Sequence, residues 1–218
     1  MSQNIENAIY AIIEMDGKQP KEKVLPKLLG TGFFVSQEEF VTAAHVLMPN
    51  YTYDIYLINS TGEILKNPSI TYYKPSEDYT ICRISRHSSE FLRASRTDIT
   101  NGVKAYAVGF PLQETSINKP LLKMVSTKFE LISARIQISY SRGNIVKVQN
   151  IIRTDKDTNM QVKSLHVLLN FPTPKGYSGG PIMLVENDEV VGLVSSSDLE
   201  AINGIQSYPG AGIRIKGK

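Results

Sequence analysis

The chemistry in this chain gathers at Gly176-Tyr177-Ser178-Gly179-Gly180-Pro181. A serine hydroxyl is a weak nucleophile until an adjacent base takes its proton, so Ser178 needs a histidine and a carboxylate to orient it. The glycines around it let backbone N–H groups come close to a reacting carbonyl with no Cβ in the way. The N–H groups of Gly176 and Ser178 form a candidate oxyanion hole for a tetrahedral intermediate. The histidines are His45, His87 and His166, and all precede Ser178. That order removes one rival. The Gly-x-Ser-x-Gly elbow of α/β-hydrolases requires the order Ser, acid, His and a helix after the serine. Here Gly179-Gly180-Pro181 starts a helix poorly. The order His, Asp, Ser stays open.

The elements that must position these groups are short strands. Pro181 enters the apolar run 182–185. Residues 27–35 and 39–42 read as strands around a turn at Ser36-Gln37-Glu38. Residues 53–58 and 64–65 read as a hairpin through Ser60-Thr61-Gly62, and 69–73 and 79–84 complete about six strands in the first half. Residues 7–14 are short and apolar, a helix or a first strand by periodicity. The polar, serine-rich residues 86–100 read as a linker. Residues 103–109 open a second half. Residues 121–140 hold at least two strands, with Ser141-Arg142-Gly143 as a turn. Strands at 145–152, 165–169, 182–185, 190–194 and 212–215 follow. This spacing predicts an all-β chain built as a pair of barrels.

Composition narrows the function classes. The 218 residues allow one large domain or two small ones. The net charge is +3 with Lys and Arg scattered, so neither a nucleic-acid nor a membrane footprint stands out. Cys82 is the single cysteine, which excludes an internal disulfide framework. Three histidines and one cysteine show no ligand spacing, so no metal is expected. The N-terminus Met-Ser-Gln-Asn-Ile-Glu-Asn lacks the basic and apolar regions of a signal peptide. No apolar run approaches the ~18 residues of a membrane span. A cytoplasmic location is the expectation.

Four segments together resemble the chymotrypsin-like (trypsin-fold) serine peptidases, especially the bacterial branch with the HtrA-type proteases. Gly30-Thr31-Gly32-Phe33-Phe34-Val35 and Val41-Thr42-Ala43-Ala44-His45-Val46-Leu47 look like the catalytic-histidine segment. Asp78-Tyr79-Thr80-Ile81-Cys82-Arg83-Ile84 looks like the catalytic-aspartate segment. Gly176 to Pro181, with Val190-Val191-Gly192-Leu193-Val194-Ser195, looks like the serine segment and the strand lining the cleft. Ala107-Val108-Gly109-Phe110-Pro111 resembles the strand that opens the second barrel.

The resemblance implies two six-stranded antiparallel Greek-key β-barrels with the site in the cleft between them. Residues 1–98 would carry His45 and Asp78, and residues 99–218 would carry Ser178 and the substrate pocket. His45 and Asp78 are 33 residues apart (78 − 45), and Asp78 and Ser178 are 100 apart (178 − 78). The second interval is long for the bacterial branch and implies an insertion or long hairpin between Gln113 and Ser164. His45 would be the general base, Asp78 its orienting acid and Ser178 the nucleophile. Glu77 beside Asp78 is a rival, but Asp78 has the right phase to the strand. His166 in its apolar run, His87 and Cys82 read as structural.

By the same resemblance, Thr173, Ser195, Ser196 and Ser197 line the substrate pocket. Pro172 stands six residues before the nucleophile, where trypsin has an aspartate. An uncharged, small or apolar primary side chain is therefore expected. Tyr177 stands where digestive relatives carry the aspartate that pairs with a newly cut N-terminus, so activation by that ion pair is not expected. No cofactor is implied. The expected partners are a polypeptide substrate and a regulatory domain or activating protein, with no nucleic acid and no membrane. The activity implied is that of a serine endopeptidase. The alternative is a latent or inactive trypsin-fold module that binds peptides.

Overall fold

The computed structural model describes residues 5–15, 27–49, 53–84, 90–112, 122–125, 128–131, 137–154, 161–196 and 210–215. A short 3-10 turn at Ile5–Ala8 leads into β1 (Ile9–Met15). Then come β2 (Lys27–Phe34), β3 (Glu39–Thr42), β4 (Asp54–Asn59), β5 (Ile64–Lys66), β6 (Ser69–Lys74) and β7 (Tyr79–Arg83). These seven strands form one sheet in the order β5-β4-β1-β2-β3-β7-β6, with every pairing antiparallel. β1 lies between β2 and β4 and is buried along nearly its whole length. A strand covered on both faces loses the polar alternation that marks a strand. That is why residues 7–14 read equally well as a helix.

The second half contains β8 (Lys104–Gly109), β9 (Leu122–Val125), β10 (Lys128–Leu131), β11 (Ser139–Thr154), β12 (Gln161–Leu169), β13 (Pro181–Leu184), β14 (Val190–Ser196) and β15 (Gly210–Arg214). Six of them close a barrel in the order β11-β12-β15-β14-β13-β8, while β9 and β10 pair only with each other. The chain is nearly all β, with a closed six-stranded barrel and a curled half-barrel sheet on the two-barrel plan. The first half differs in detail from the expected six-stranded barrel: seven strands curl without a closing ladder among the described residues.

One expectation fails. Ser141-Arg142-Gly143 is not a turn but the interior of β11. β11 pairs with β8 through Asn144 and with β12 from Ile145 onward. Its turn-like composition marks the point where the strand changes partner. The long hairpin expected after Gln113 is β11 with β12, paired from Ile145↔Leu169 out to Thr154↔Gln161.

The larger core cluster joins the halves. It runs from Ile9, Tyr10, Phe34 and Phe40 to Val108, Phe110, Met183 and Leu193. A second cluster fills the closed barrel, including Ala107, Val167, Tyr177, Ile182 and Val194. The connecting segment is bonded to both halves. Leu92 N–H donates to Phe34 O at 2.8 Å, and Ser95 N–H donates to Val190 O at 2.8 Å. Cys82 is buried, and burial pushes its thiol up to about 12. His166 is buried with its Nε2 2.9 Å from the Ser164 hydroxyl. His87 lies outside the described residues. Among the described residues no helix is long and apolar enough to cross a membrane.

The aromatic centre of the first sheet sets a testable expectation. The Phe34 ring stacks edge-on against Tyr10 at 5.3 Å and Phe40 at 5.1 Å. Phe34→Ala should cost about 3–5 kcal/mol, read as a lower urea midpoint with the slope unchanged.

Candidate active site

His45 and Asp78 come from the first sheet, Ser178 from a loop of the barrel. His45 lies in the tight turn that ends β3, where Val46 N–H donates to Ala43 O at 3.1 Å. Its side chain is about half exposed, at 49%. Asp78 follows the 3-10 turn Pro75–Glu77 and adopts a left-handed backbone, φ 50 and ψ 47. Aspartate tolerates this region better than most residues. The turn aims the carboxylate at His45 from two directions. Oδ1 accepts the His45 backbone N–H at 3.0 Å. Oδ1 and Oδ2 lie 2.8 Å and 2.9 Å from the His45 ring Nδ1.

An ionised carboxylate can only accept, so this contact assigns the proton to Nδ1. Nε2 is left with its lone pair for taking a proton. Burial pushes the Asp78 carboxyl up. The His45 ring, the Ser195 hydroxyl and the His45 N–H together outweigh burial, and the pKa lies below its ordinary value.

The resemblance puts Ser195 on the pocket wall. Its hydroxyl donates to Asp78 Oδ2 at 2.5 Å, reaching across from β14. Nothing in its sequence context signals that contact. Ser196 is the last residue of β14, and Ser197 lies outside the described residues. Thr173 is buried. It sits beside Gly210, where an added Cβ would come within 3.1 Å of the Thr173 side chain. Gly210, Ala211 and Gly212 of β15 bring no charge to this region. Pro172 lies on the surface, and its carbonyl accepts from the Ser141 hydroxyl at 2.6 Å.

The serine loop is fastened on both flanks. Ser178 O accepts Thr31 N–H from β2 at 2.8 Å. Gly179 N–H donates to Val194 O at 2.7 Å, and Val194 N–H returns to Gly180 O at 2.8 Å. Gly179 has φ 83. A Cβ there would collide with the Thr42 hydroxyl and the Thr31 carbonyl and come within 2.9 Å of Ala43 N. Ser178 is thereby placed beside the turn that carries His45. Gly176 has φ 95, and a Cβ there would strike the Phe110 carbonyl. Among the described residues, neither the Gly176 nor the Ser178 N–H has a hydrogen-bond acceptor. Two free backbone donors in one loop are what an oxyanion site requires. Among the described residues no group of His, Cys, Asp or Glu could hold a metal.

Two sheets facing each other across this constellation define a trypsin-like peptidase domain. That family matches residues 30–193, and the chain belongs to it. The chain is similar in fold to the Rv3671c protease from M. tuberculosis in its active form. The identity is 18% and the TM-score 0.68, over 96% of this chain and 77% of that one. An inactive form of that protease aligns at 16% identity and TM-score 0.64, over 96% of this chain and 84% of that one. Its inactive Ser-to-Ala mutant gives 16% and 0.64, over 96% and 82%. At these identities the likeness is one of fold. No curated protein matches the chain in sequence.

Two outcomes follow from the geometry. Gly179→Ala should leave little or no folded protein able to carry a formed serine loop, read by near-UV circular dichroism and yield. Asp78 has its folded pKa lowered, so its stabilisation is present above the unfolded value of ~3.9 and is lost as pH falls through the folded value. The stability gap between wild type and Asp78→Asn should be widest at neutral pH and close in acid, measured by urea titration at each pH.

Proposed function

We propose that this domain is a serine endopeptidase acting through Ser178, His45 and Asp78. The observation that carries the reading is the Asp78 carboxylate on His45 Nδ1, which leaves Nε2 as the only ring atom able to take a proton. His45 removes the Ser178 proton as Oγ attacks the scissile carbonyl. The resulting oxyanion is met by the Gly176 and Ser178 N–H groups. The imidazolium returns the proton to the departing amine as the C–N bond breaks, leaving an ester on Ser178. Water, deprotonated by the same Nε2, then releases the carboxylic acid and regenerates the hydroxyl. Asp78 holds the tautomer and stabilises the imidazolium, and Ser195 and the His45 N–H hold Asp78.

Substrate preference follows from what the pocket region lacks among its described residues. A buried carboxylate rewards a Lys or Arg side chain, and Thr173, Gly210, Ala211 and Gly212 supply none. An uncharged, small or apolar residue before the cleaved bond fits best. Tyr177 supports a loop that needs no N-terminal ammonium, because the ring is buried in the barrel cluster and a Cβ at Gly109 would meet it at 2.8 Å.

One observation favours a second reading, a latent module. Among the described residues the Ser178 hydroxyl makes no hydrogen bond to the His45 ring. Such bonds are often loose without substrate and tighten in the complex, so the first reading is preferred. A fluorophosphonate probe separates the two. Labelling of wild type but not Ser178→Ala supports the peptidase, and an unlabelled, folded wild type supports the latent module. In the active protein, Asp78→Asn should lower kcat by about 10⁴-fold. Peptide-library profiling should return cleavage after small or apolar residues, and dominance of Arg or Lys would overturn the pocket assignment.

A further inference from the structure

We infer that Thr31 is a positioning residue that sets the oxyanion hole from across the domain, by fixing the peptide after Gly176 directly and the peptide before it through residues 110–112. The inference rests on the peptidase reading above and concerns how its anion site is kept in shape. Thr31 is fully buried on β2, in the half of the molecule that does not contain Ser178. Its hydroxyl donates to Gly176 O at 2.7 Å and accepts Phe110 N–H at 3.1 Å. Its backbone N–H holds Ser178 O, and its carbonyl accepts the Thr42 hydroxyl at 2.7 Å. All three polar atoms of this residue are engaged, in four hydrogen bonds, three of them with groups of the serine loop or the segment against it.

The direction of the Gly176 N–H follows from the geometry of the peptide unit. In a trans peptide the C=O and N–H point to opposite sides. The Lys175 carbonyl accepts Leu112 N–H at 2.8 Å, so the Gly176 N–H of the same peptide faces away from residues 110–112. The next peptide is fixed the same way. Thr31 holds the Gly176 carbonyl, and the Tyr177 N–H on its far side closes a turn onto Pro174 O at 3.0 Å. Only glycine adopts φ 95 between these two peptides without strain. The Thr31 hydroxyl is the one side-chain atom that bonds both the loop and residues 110–112 among the described residues. Removing it orphans a carbonyl at Gly176 and an N–H at Phe110. A buried unpaired backbone group is costly, and the cheapest relief is rotation of a peptide in the loop.

A hydroxyl that acted only on stability would change how much enzyme is folded, not the rate per folded molecule. Losing an oxyanion donor outright lowers kcat by about 10²–10³-fold. Loosening one donor should therefore lower kcat by roughly 10–100-fold. KM should stay near wild type, because the pocket is untouched.

The test compares wild type, Thr31→Val, Thr31→Ser, Leu112→Pro and Ser178→Ala, each confirmed folded by circular dichroism. Fluorophosphonate labelling of wild type but not Ser178→Ala first establishes the peptidase reading; an inert wild type would overturn that reading and this inference with it. Given labelling, Thr31→Val is expected to show the loss in kcat, with Thr31→Ser restoring most of it. Affinity for a peptide aldehyde, whose adduct with Ser178 places an oxygen in the hole, should fall by the same factor. Affinity for a non-reactive peptide of the same sequence should not. Leu112→Pro, which removes the other N–H from an exposed position, should repeat the pattern even if Thr31→Val fails to fold. A folded Thr31→Val or Leu112→Pro with wild-type kcat and aldehyde affinity would overturn the inference and leave the peptidase reading standing.

Discussion

The backbone bond from Thr31 N–H to Ser178 O, at 2.8 Å, ties the sheet directly to the serine of the barrel. The groups able to do chemistry are divided between them: a histidine and an aspartate on the sheet, a serine on the barrel. A displacement of about 1 Å between reacting groups is enough to lose orders of magnitude in rate. Side chains packed across an interface resist such shifts, but a backbone bond also sets register. The glycine at 179 is the steric counterpart of this bond. Its missing Cβ allows the loop to press against Thr31 and Ala43, so the serine is seated by contact as well as by hydrogen bonding.

Around that seat the electrostatics are arranged in one direction. Asp78 is largely covered and would by burial alone be harder to ionise. The donors turned toward it reverse the balance. Two come from His45 and one from Ser195, so each half of the molecule contributes to holding the charge. The price of this arrangement is local strain, visible as a left-handed aspartate at the end of a 3-10 turn. The strain delivers a carboxylate that a more relaxed turn would aim elsewhere.

Much of this was legible in the sequence because it is written in local pattern. The strand ranges follow from alternation and turn residues, β3 to the residue. Ser178, His45 and Asp78 were visible from residue type, order and resemblance. What escaped depends on contacts between distant segments. Ser195 is an unremarkable serine at a strand end until β14 crosses behind Asp78. Thr31 lies between two glycines, a pattern that signals close packing but not which atoms meet. The Ser-Arg-Gly of β11 reads as a turn, although in the fold it leads to the point where the strand changes partner. The curled sheet of seven strands depends on edge pairings that periodicity does not encode.

Tyr177 carries a consequence that separates this loop from one held by charge. The ring is buried in the barrel cluster, and burial raises its phenol pKa although Ser139 pulls the other way. The anchor therefore stays neutral across the physiological range. An ion pair in the same place would come and go with the protonation of an amine. An aromatic wedge does not. It draws on the release of water from apolar surface, which strengthens with excluded salts such as sulfate and fades on cooling. The order of the serine loop is thus tied to temperature and to the nature of the solvent, not to the charge on an amine.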